Sequence, residues 1–518
     1  MEEQRSGSGR RKNAAYASMA LAAIIILGLL IGFMIHSTLD PLYDDLTYIT
    51  LAHQMLAGNF TIGYGPFAIS LGVIVPLAVS FMLFGYNILS AALPTITAYI
   101  VLIVSIFLIG RELQGNKLAA LAAFLTATSP IVTPYVFRVL PDISLGALVA
   151  LSFYLFLIGY RKRSSMLLLA SGFIIGLSPF VRLDGLMLAF FYVFSILVAS
   201  KIQKEKRITV YAYVIIGLLL ALAIYFLTFF VYTGNPLHPI YAFGSSVRVI
   251  NKSSLANNLN ILINLLSPAS STNLRGPYLY TMGPIFLFAI FGSAVALLKR
   301  SKFAVIAIFN LSTFFYYFLG TGSPTEYIPL LIWSRSLATI LVSVSIMAAY
   351  LIVEIYESAE RESKVYAALG AVALVFSITA LYYNGYNSVY QYNFGNMEQS
   401  MLYREITNYI INSTGGANAT LYISSSGGGL LISNYINFSM AYSKISAISI
   451  WLNVGLSGNC TYSNNSFLAA ISLGGPPSVA AQNIKEAHIW AGSGCSLVYD
   501  KNITVGIGTA TIYKIEKG

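Results

Sequence analysis

Along most of this chain apolar residues do not alternate with polar ones; they continue for roughly twenty residues, the length that carries a helix across the hydrocarbon core of a bilayer. Such runs fall near 14–36, 88–110, 118–137, 142–160, 166–181, 184–200, 208–232, 282–298, 303–320, 328–353 and 365–383. They predict an all-α polytopic membrane protein of about 11 transmembrane helices, with juxtamembrane helices between them. One further run, 67–85, could cross by length, but Gly72 and Pro76 interrupt it. It is expected to be a bent, interfacial or re-entrant segment on the outer side. Between the first two spans, Asp44 to Leu56 reads as a shorter amphipathic helix, with Ile49, Ala52, Met55 and Leu56 resting on the membrane surface.

The pattern changes near residue 384, where Asn-, Ser- and Gly-rich turns separate short alternating strands such as Ala419–Ser424 and Ala510–Ile515. The expected organisation is a transmembrane domain over 1–383 and a small α/β extracytoplasmic domain over 384–518. The tail holds the acceptor triplets beginning at Asn412, Asn418, Asn437, Asn459, Asn464 and Asn502. It also holds both cysteines, Cys460 and Cys495, whose confinement there predicts a disulfide in an oxidising compartment.

Composition agrees with the pattern. Hydrophobic residues make up 57% of the 518 and charged residues only 9%, against about 25% charged in soluble domains. The formal net charge of +11 does not point to nucleic acid, because the basic residues sit in short clusters between apolar runs. Arg10-Arg11-Lys12, Arg111 with Lys117, Arg161-Lys162-Arg163, Lys201 to Arg207, and Lys299 to Lys302 all fall on one side if the eleven runs cross. The positive-inside rule makes that side cytoplasmic. A multi-pass protein of the cell membrane is expected, with a cytoplasmic N-terminus and an extracellular C-terminal domain. The first run is not followed by a small-residue cleavage site and reads as an uncleaved anchor.

With this threading few carboxylates outside the tail face the exterior: Asp40, Asp44, Asp45, Asp142, Asp184 and Glu326. Asp44 and Asp45 stand in the first turn of the 44–56 helix, where the dipole favours negative charge whether or not they do chemistry. Arginines near span ends can anchor at the interface as easily as they bind phosphate.

The residues themselves then bring in a family. Asp44-Asp45-x-Thr47-Tyr48, with Ala52, Met55 and Gly58 and then Tyr64-Gly65-Pro66-Phe67, resembles the first exterior loop of C-type (GT-C) glycosyltransferases. These membrane enzymes take sugar from a polyprenyl-phosphate carrier. The likeness is to the protein O-mannosyltransferase and aminoarabinose-transferase branch. Leu83-Phe84-Gly85, Val139-Leu140-Pro141-Asp142, Gly176 to Arg182, and Thr233-Gly234-Asn235-Pro236-Leu237 continue it in order over about residues 14–240. Three features depart from the family pattern. Asp45 replaces a Glu, Gly63-Tyr64-Gly65 stands where a Lys is common, and Glu326-Tyr327-Ile328-Pro329 stands where Arg-Tyr is common, with Arg335 nine residues on.

The resemblance implies transfer of a sugar, with inversion, from a polyprenyl- or dolichyl-phosphate donor to a hydroxyl of a protein, lipid or glycan on the exterior face. A lipid phosphate leaves as a weakly basic anion, so cations and a single base suffice. Asp44 is the expected base, with Asp45 beside it and Asp142 orienting the acceptor or a metal. Arg138, Arg182 and Arg335 are the candidate donor-phosphate ligands, because guanidinium pairs bidentately with phosphoryl oxygens. Asp184 reads as structural, and His238 as a loop histidine. No cofactor is implied with certainty, although a divalent metal is compatible. Two other classes remain open: a lipid-sugar transporter or flippase, which would place its ionisable groups near the midplane, and a non-catalytic receptor that reads the exterior through its tail.

Overall fold

The computed structural model describes residues 2–35, 44–63, 65–203, 208–243, 255–256, 258–259, 283–321, 327, 329–330, 335–414, 419–425, 445–449, 466–473, 495–505 and 508–517. The chain forms two compact units, one of residues 1–37, 61–76 and 92–390, the other of residues 38–60, 77–91 and 391–518.

Among the described residues seven helices are long and apolar enough to cross a membrane, within Ala15–Ile35, Ile88–Leu113, Pro141–Lys162, Gly185–Ile202, Val210–Thr233, Leu341–Glu362 and Lys364–Tyr383. Shorter apolar helices stand between them. In chain order the helices are α1 (Glu2–Ile35), α2 (Asp44–Leu56), α3 (Leu71–Phe84), α4 (Ile88–Leu113), α5 (Asn116–Ala127), α6 (Pro141–Lys162) and α7 (Ser165–Gly176). They continue as α8 (Ser178–Val181), α9 (Gly185–Ile202), α10 (Ile208–Thr233), α11 (Gly283–Leu298), α12 (Ala304–Leu319), α13 (Leu341–Glu362) and α14 (Lys364–Thr414). Two 3-10 turns, η1 (Thr133–Tyr135) and η2 (Arg335–Ala338), precede α6 and α13.

The run expected at 118–137 is helical only as far as Ala127. Pro130 and Pro134 follow within seven residues, and proline can neither continue the backbone ladder nor tolerate a helical residue before it. The carbonyls left over at this helix end must find donors, since apolar surroundings supply none. Tyrosines from two other helices provide them. The Tyr99 hydroxyl of α4 donates to the Ala127 carbonyl at 3.1 Å, and Tyr382 of α14 donates to that of Leu125 at 2.7 Å. Tyr386, one turn further along α14, donates to Thr128. Gly28 of α1 passes the same point, where a Cβ would lie 1.9 Å from the Tyr99 hydroxyl.

Polar contacts within the first unit define two ends of its helix bundle. At one end Arg161 lies 2.8 Å from Glu112, Lys117 lies 3.8 Å from Glu360, and Lys299 pairs with Glu354. Gln203 donates to the Ser301 carbonyl at 2.9 Å, bringing the loop after α9 to the loop after α11. The basic clusters at 111–117, 161–163, 201–203 and 299–302 therefore gather at one end. The N-termini of α6 and α9, the C-terminus of α12 and the turn η2 meet at the other.

Helix α3 ends where expected, at Phe84, and Gly85 follows with a left-handed φ of 81°. Its 14 residues rise only about 21 Å, though α5 is shorter still, so length does not decide whether it crosses. Near its start Gly72 packs against the α8 backbone, where a Cβ would come within 2.9 Å of the Phe180 carbonyl carbon.

In the second unit five strands form a mixed sheet of order β2-β1-β3-β5-β4, with β1 (Ala419–Ser425), β2 (Ile445–Ser449), β3 (Ser466–Leu473), β4 (Cys495–Val505) and β5 (Gly508–Lys517). β1 runs parallel to β2 and β3, while β5 is antiparallel to β3 and β4. Phe467, Leu468 and Ala469 are all buried although consecutive side chains point to opposite faces, so both faces of β3 are covered. Leu402, Ile406 and Ile410 form a fully buried stripe at helical spacing on the last part of α14. The composition change at 384 falls inside this helix rather than at a loop. Cys460 and the triplets at Asn418, Asn437, Asn459 and Asn464 lie outside the described residues. Asn412 and Asn502 are exposed, the latter on the edge strand β4.

Candidate functional site

The two acids of α2 belong to the second unit. The helix covers Asp44–Leu56, as the sequence predicts; of the residues expected on the membrane surface, Ile49 and Ala52 are instead buried in protein. Asp45, Leu46, Tyr48, Ile49 and Ala52 are buried, whereas Leu56 is exposed. Asp45, Ile49 and Ala52 share one helical stripe, so Asp45 points into protein and is wholly buried. Asp44, about 100° round the helix, is half-buried. Both make further interactions. Asp40 lies outside the described residues.

The remaining candidates belong to the first unit, and four elements bring part of them together. α6 starts at Pro141, a residue preset for a first helical position, after an extended Leu140. Asp142 thus enters the first turn, where the dipole favours its charge, yet it is only 1% exposed. A buried carboxylate needs a partner, and Arg182 supplies it: Nη1 donates to Asp142 Oδ1 at 2.5 Å. Asp142 Oδ2 is buried and has no hydrogen-bond partner among the described residues.

A tight turn aims Arg182. The one-turn helix α8 ends at Val181, and Arg182 is extended, with φ −160° and ψ 141°. The single Ser178 hydroxyl proton is shared between the carbonyls of Ile175 at 2.6 Å and Gly185 at 2.9 Å, which tie the two sides of the turn together. Only glycine fits at 185, where a Cβ would stand 2.4 Å from the Ser178 carbonyl carbon.

The guanidinium is then used on every nitrogen. Nη2 donates to the Ser336 hydroxyl of η2 at 3.1 Å. Nε lies 3.2 Å from Asp184 Oδ1, an ion-pair contact rather than a formed hydrogen bond. Asp184 Oδ2 accepts from the Tyr317 hydroxyl of α12 at 3.1 Å. Asp184 stands one residue ahead of the apolar span of α9. Burial pushes its carboxyl above the usual range; the Arg182 charge pulls it down and Asp142 raises it further.

Arg138 and Arg335 are both half-buried and each makes further interactions. Arg335 opens η2, immediately before Ser336. Glu326 lies outside the described residues. His238 is buried, with Nε2 3.3 Å from the Gly63 carbonyl. Among the described residues no group of three or more His, Cys, Asp or Glu gathers as a metal site. Ser336 and Tyr317 carry no motif that would single them out. The one sequence-level hint is that a buried acid at 142 must be paired, and the pairing joins segments up to 154 residues apart.

Residues 73–233, about a third of the chain, match the model of a family described as dolichyl-phosphate-mannose-protein mannosyltransferase. The chain shares its fold with the crystal structure of ArnT from Cupriavidus metallidurans bound to undecaprenyl phosphate. The TM-score is 0.59 at 13% identity over 95% of this chain and 97% of that one. The apo form of the same protein matches at 0.59 with 12% identity, over 96% and 98%. The apo oligosaccharyltransferase of Archaeoglobus fulgidus gives 0.48 at 13% identity, over 94% and 74%. No curated protein sequence matches. The resemblance to C-type glycosyltransferases is borne out over residues 73–233, which match a family of such enzymes that take sugar from a lipid-phosphate donor, and by the fold shared with ArnT.

Proposed function

We propose that the chain moves a sugar, with inversion, from a polyprenyl-phosphate carrier to an acceptor hydroxyl at the exterior face of the cell membrane, with Asp44 as the single base. The observation that carries this reading is the pair at the start of α2. Asp45 is wholly buried, while Asp44 is only half-buried, in the segment whose residues resemble the family's exterior loop. An acceptor proton can reach only the exposed member. The carrier class rests on the family match and on a shared fold with a protein crystallised with undecaprenyl phosphate.

In this reading the acceptor oxygen attacks the anomeric carbon as its proton passes to Asp44. The sugar–oxygen bond to the phosphate breaks, and the lipid phosphate leaves as an anion. Arg335 and Arg138 balance that charge; guanidinium does so without changing protonation state. Asp142 steadies the acceptor side, or a divalent metal if one is used. The bundle end that gathers the basic clusters is cytoplasmic, which puts Asp142 and Arg182 outside. The about eleven crossings then leave α3 in the outer interface and the domain after residue 383 extracellular.

The test is Asp44→Asn, which keeps size and polarity but cannot take the proton. Transfer from a polyprenyl-phosphate sugar should fall by about 10²-fold or more at normal expression. Full restoration of glycan by this variant in a deletion strain would remove Asp44 from the mechanism.

A further inference from the structure

Arg182 was expected to bind the donor phosphate, and its surroundings give it other work. Asp142, Ser336 and Asp184 engage its three nitrogens at 2.5, 3.1 and 3.2 Å. The charge count points the same way. Two carboxylates face one guanidinium, so the cluster carries −1 with both ionised and zero with one protonated. Neither state leaves positive charge over for a phosphate. A phosphate that recruited Arg182 would also strip the pairing from Asp142, a carboxylate 1% exposed, and an unpaired buried charge is heavily penalised.

Three segments far apart in the chain meet on this side chain: the start of α6, the turn into α9, and η2. Within η2, Ser336, Leu337 and Ala338 are buried while Arg335 is half-exposed. The turn is pinned from two sides. Arg182 holds Ser336, and Gly146, one helical turn after Asp142 on the same face of α6, packs beside the turn, with the Ala338 carbonyl 3.5 Å from where a Cβ would be, an ordinary contact distance. The Thr339 hydroxyl donates to the Ser336 carbonyl at 2.6 Å and closes the turn on itself.

We propose that Arg182 is a positioning residue: through Ser336 it fixes the turn that carries Arg335, and it affects donor binding only by way of Arg335. This rests on the proposed role of Arg335 as a ligand of the donor phosphate.

A double-mutant cycle separates the two possibilities. The probe is undecaprenyl phosphate, titrated onto the purified full-length protein in nanodiscs. Arg335→Ala and Ser336→Ala should each weaken binding about tenfold, since a hydrogen bond to a charged group is of that size. The Arg335→Ala/Ser336→Ala double variant should bind no worse than Arg335→Ala alone, and Arg182→Lys should behave as Ser336→Ala does. Additive losses in the Arg182→Lys/Arg335→Ala pair would make Arg182 a direct ligand and overturn the proposal. So would normal binding by Ser336→Ala. Should Arg182→Lys not be recovered as folded protein, the Ser336 cycle decides alone, because it removes a hydroxyl and no charge. Normal binding by Arg335→Ala would instead refute the ligand role on which the inference rests. No binding by the unaltered protein would refute the donor class.

Discussion

Asp44 and Asp45 are neighbours in sequence and differ in environment, and that difference is what a substitution series can read. Asp45→Asn alters a wholly buried carboxylate. It should lower thermal stability, by an amount of the order of one lost hydrogen bond, about 1 kcal/mol, with a smaller loss of transfer per folded molecule than Asp44→Asn. Asp142→Asn should fall between them in activity, because it loosens Arg182 as well as changing the acid itself. Melting temperature and initial transfer rate, measured on the same preparations, give the ranking; equal losses at all three positions would remove it. The sequence brings these acids to notice because so few carboxylates outside the tail stand away from the ends that carry the basic clusters. It does not reveal that Asp45 faces inward, since two adjacent acids in a first helical turn look alike until the partner surface is known. Nor does it show that Arg182 is occupied by Asp142 and Ser336, contacts that span 40 and 154 residues.

At the level of elements, the end of α5 shows what a broken span requires. Three tyrosine hydroxyls stand on carbonyls that the helix leaves open. Tyr382→Phe keeps the ring and removes one donor, so stability should drop by about 1 kcal/mol, read as a lower melting temperature in detergent with the fold otherwise intact. An unchanged melting temperature would mean that the carbonyl finds another donor. The extent of α2, the end of α3 at Phe84 and the strands near 419 and 510 were legible from apolar spacing and turn residues. The premature stop of α5 was less so, because its prolines lie beyond the helix end while the apolar run continues past them. In the tail, the Cys460–Cys495 disulfide remains an expectation. It would close a loop of about 35 residues and contribute roughly 3–4 kcal/mol. Denatured, unreduced protein should show no free thiol, and a count of two would contradict the pairing.

For the whole molecule, sidedness is the property most open to test. Contacts in the first unit collect the basic clusters at one end and Asp142, Arg182 and Asp184 at the other. The charge pattern had predicted that grouping without knowledge of any contact, because the same asymmetry that orients a membrane protein is written in its loops. With Cys460 and Cys495 replaced by serine, single cysteines at Lys162 and Asn412 should differ in intact cells. An impermeant thiol reagent should label position 412 and spare position 162. Labelling of 162 would mean that α3 crosses or that the threading is otherwise shifted, and it would put the acids on the wrong side for an exterior acceptor.

The central claim is transfer from a polyprenyl-phosphate sugar, and mass spectrometry of the lipid pool tests it most directly. Membranes from a strain lacking the gene hold both donor and acceptor, and purified protein can be added back to them. Added protein should convert polyprenyl-phosphate sugar to bare polyprenyl phosphate, with the same sugar mass appearing on a protein, lipid or polysaccharide; the Asp44→Asn protein should leave the donor pool intact. A donor pool unchanged by the unaltered protein, or consumed equally by the Asp44→Asn protein, would contradict the account.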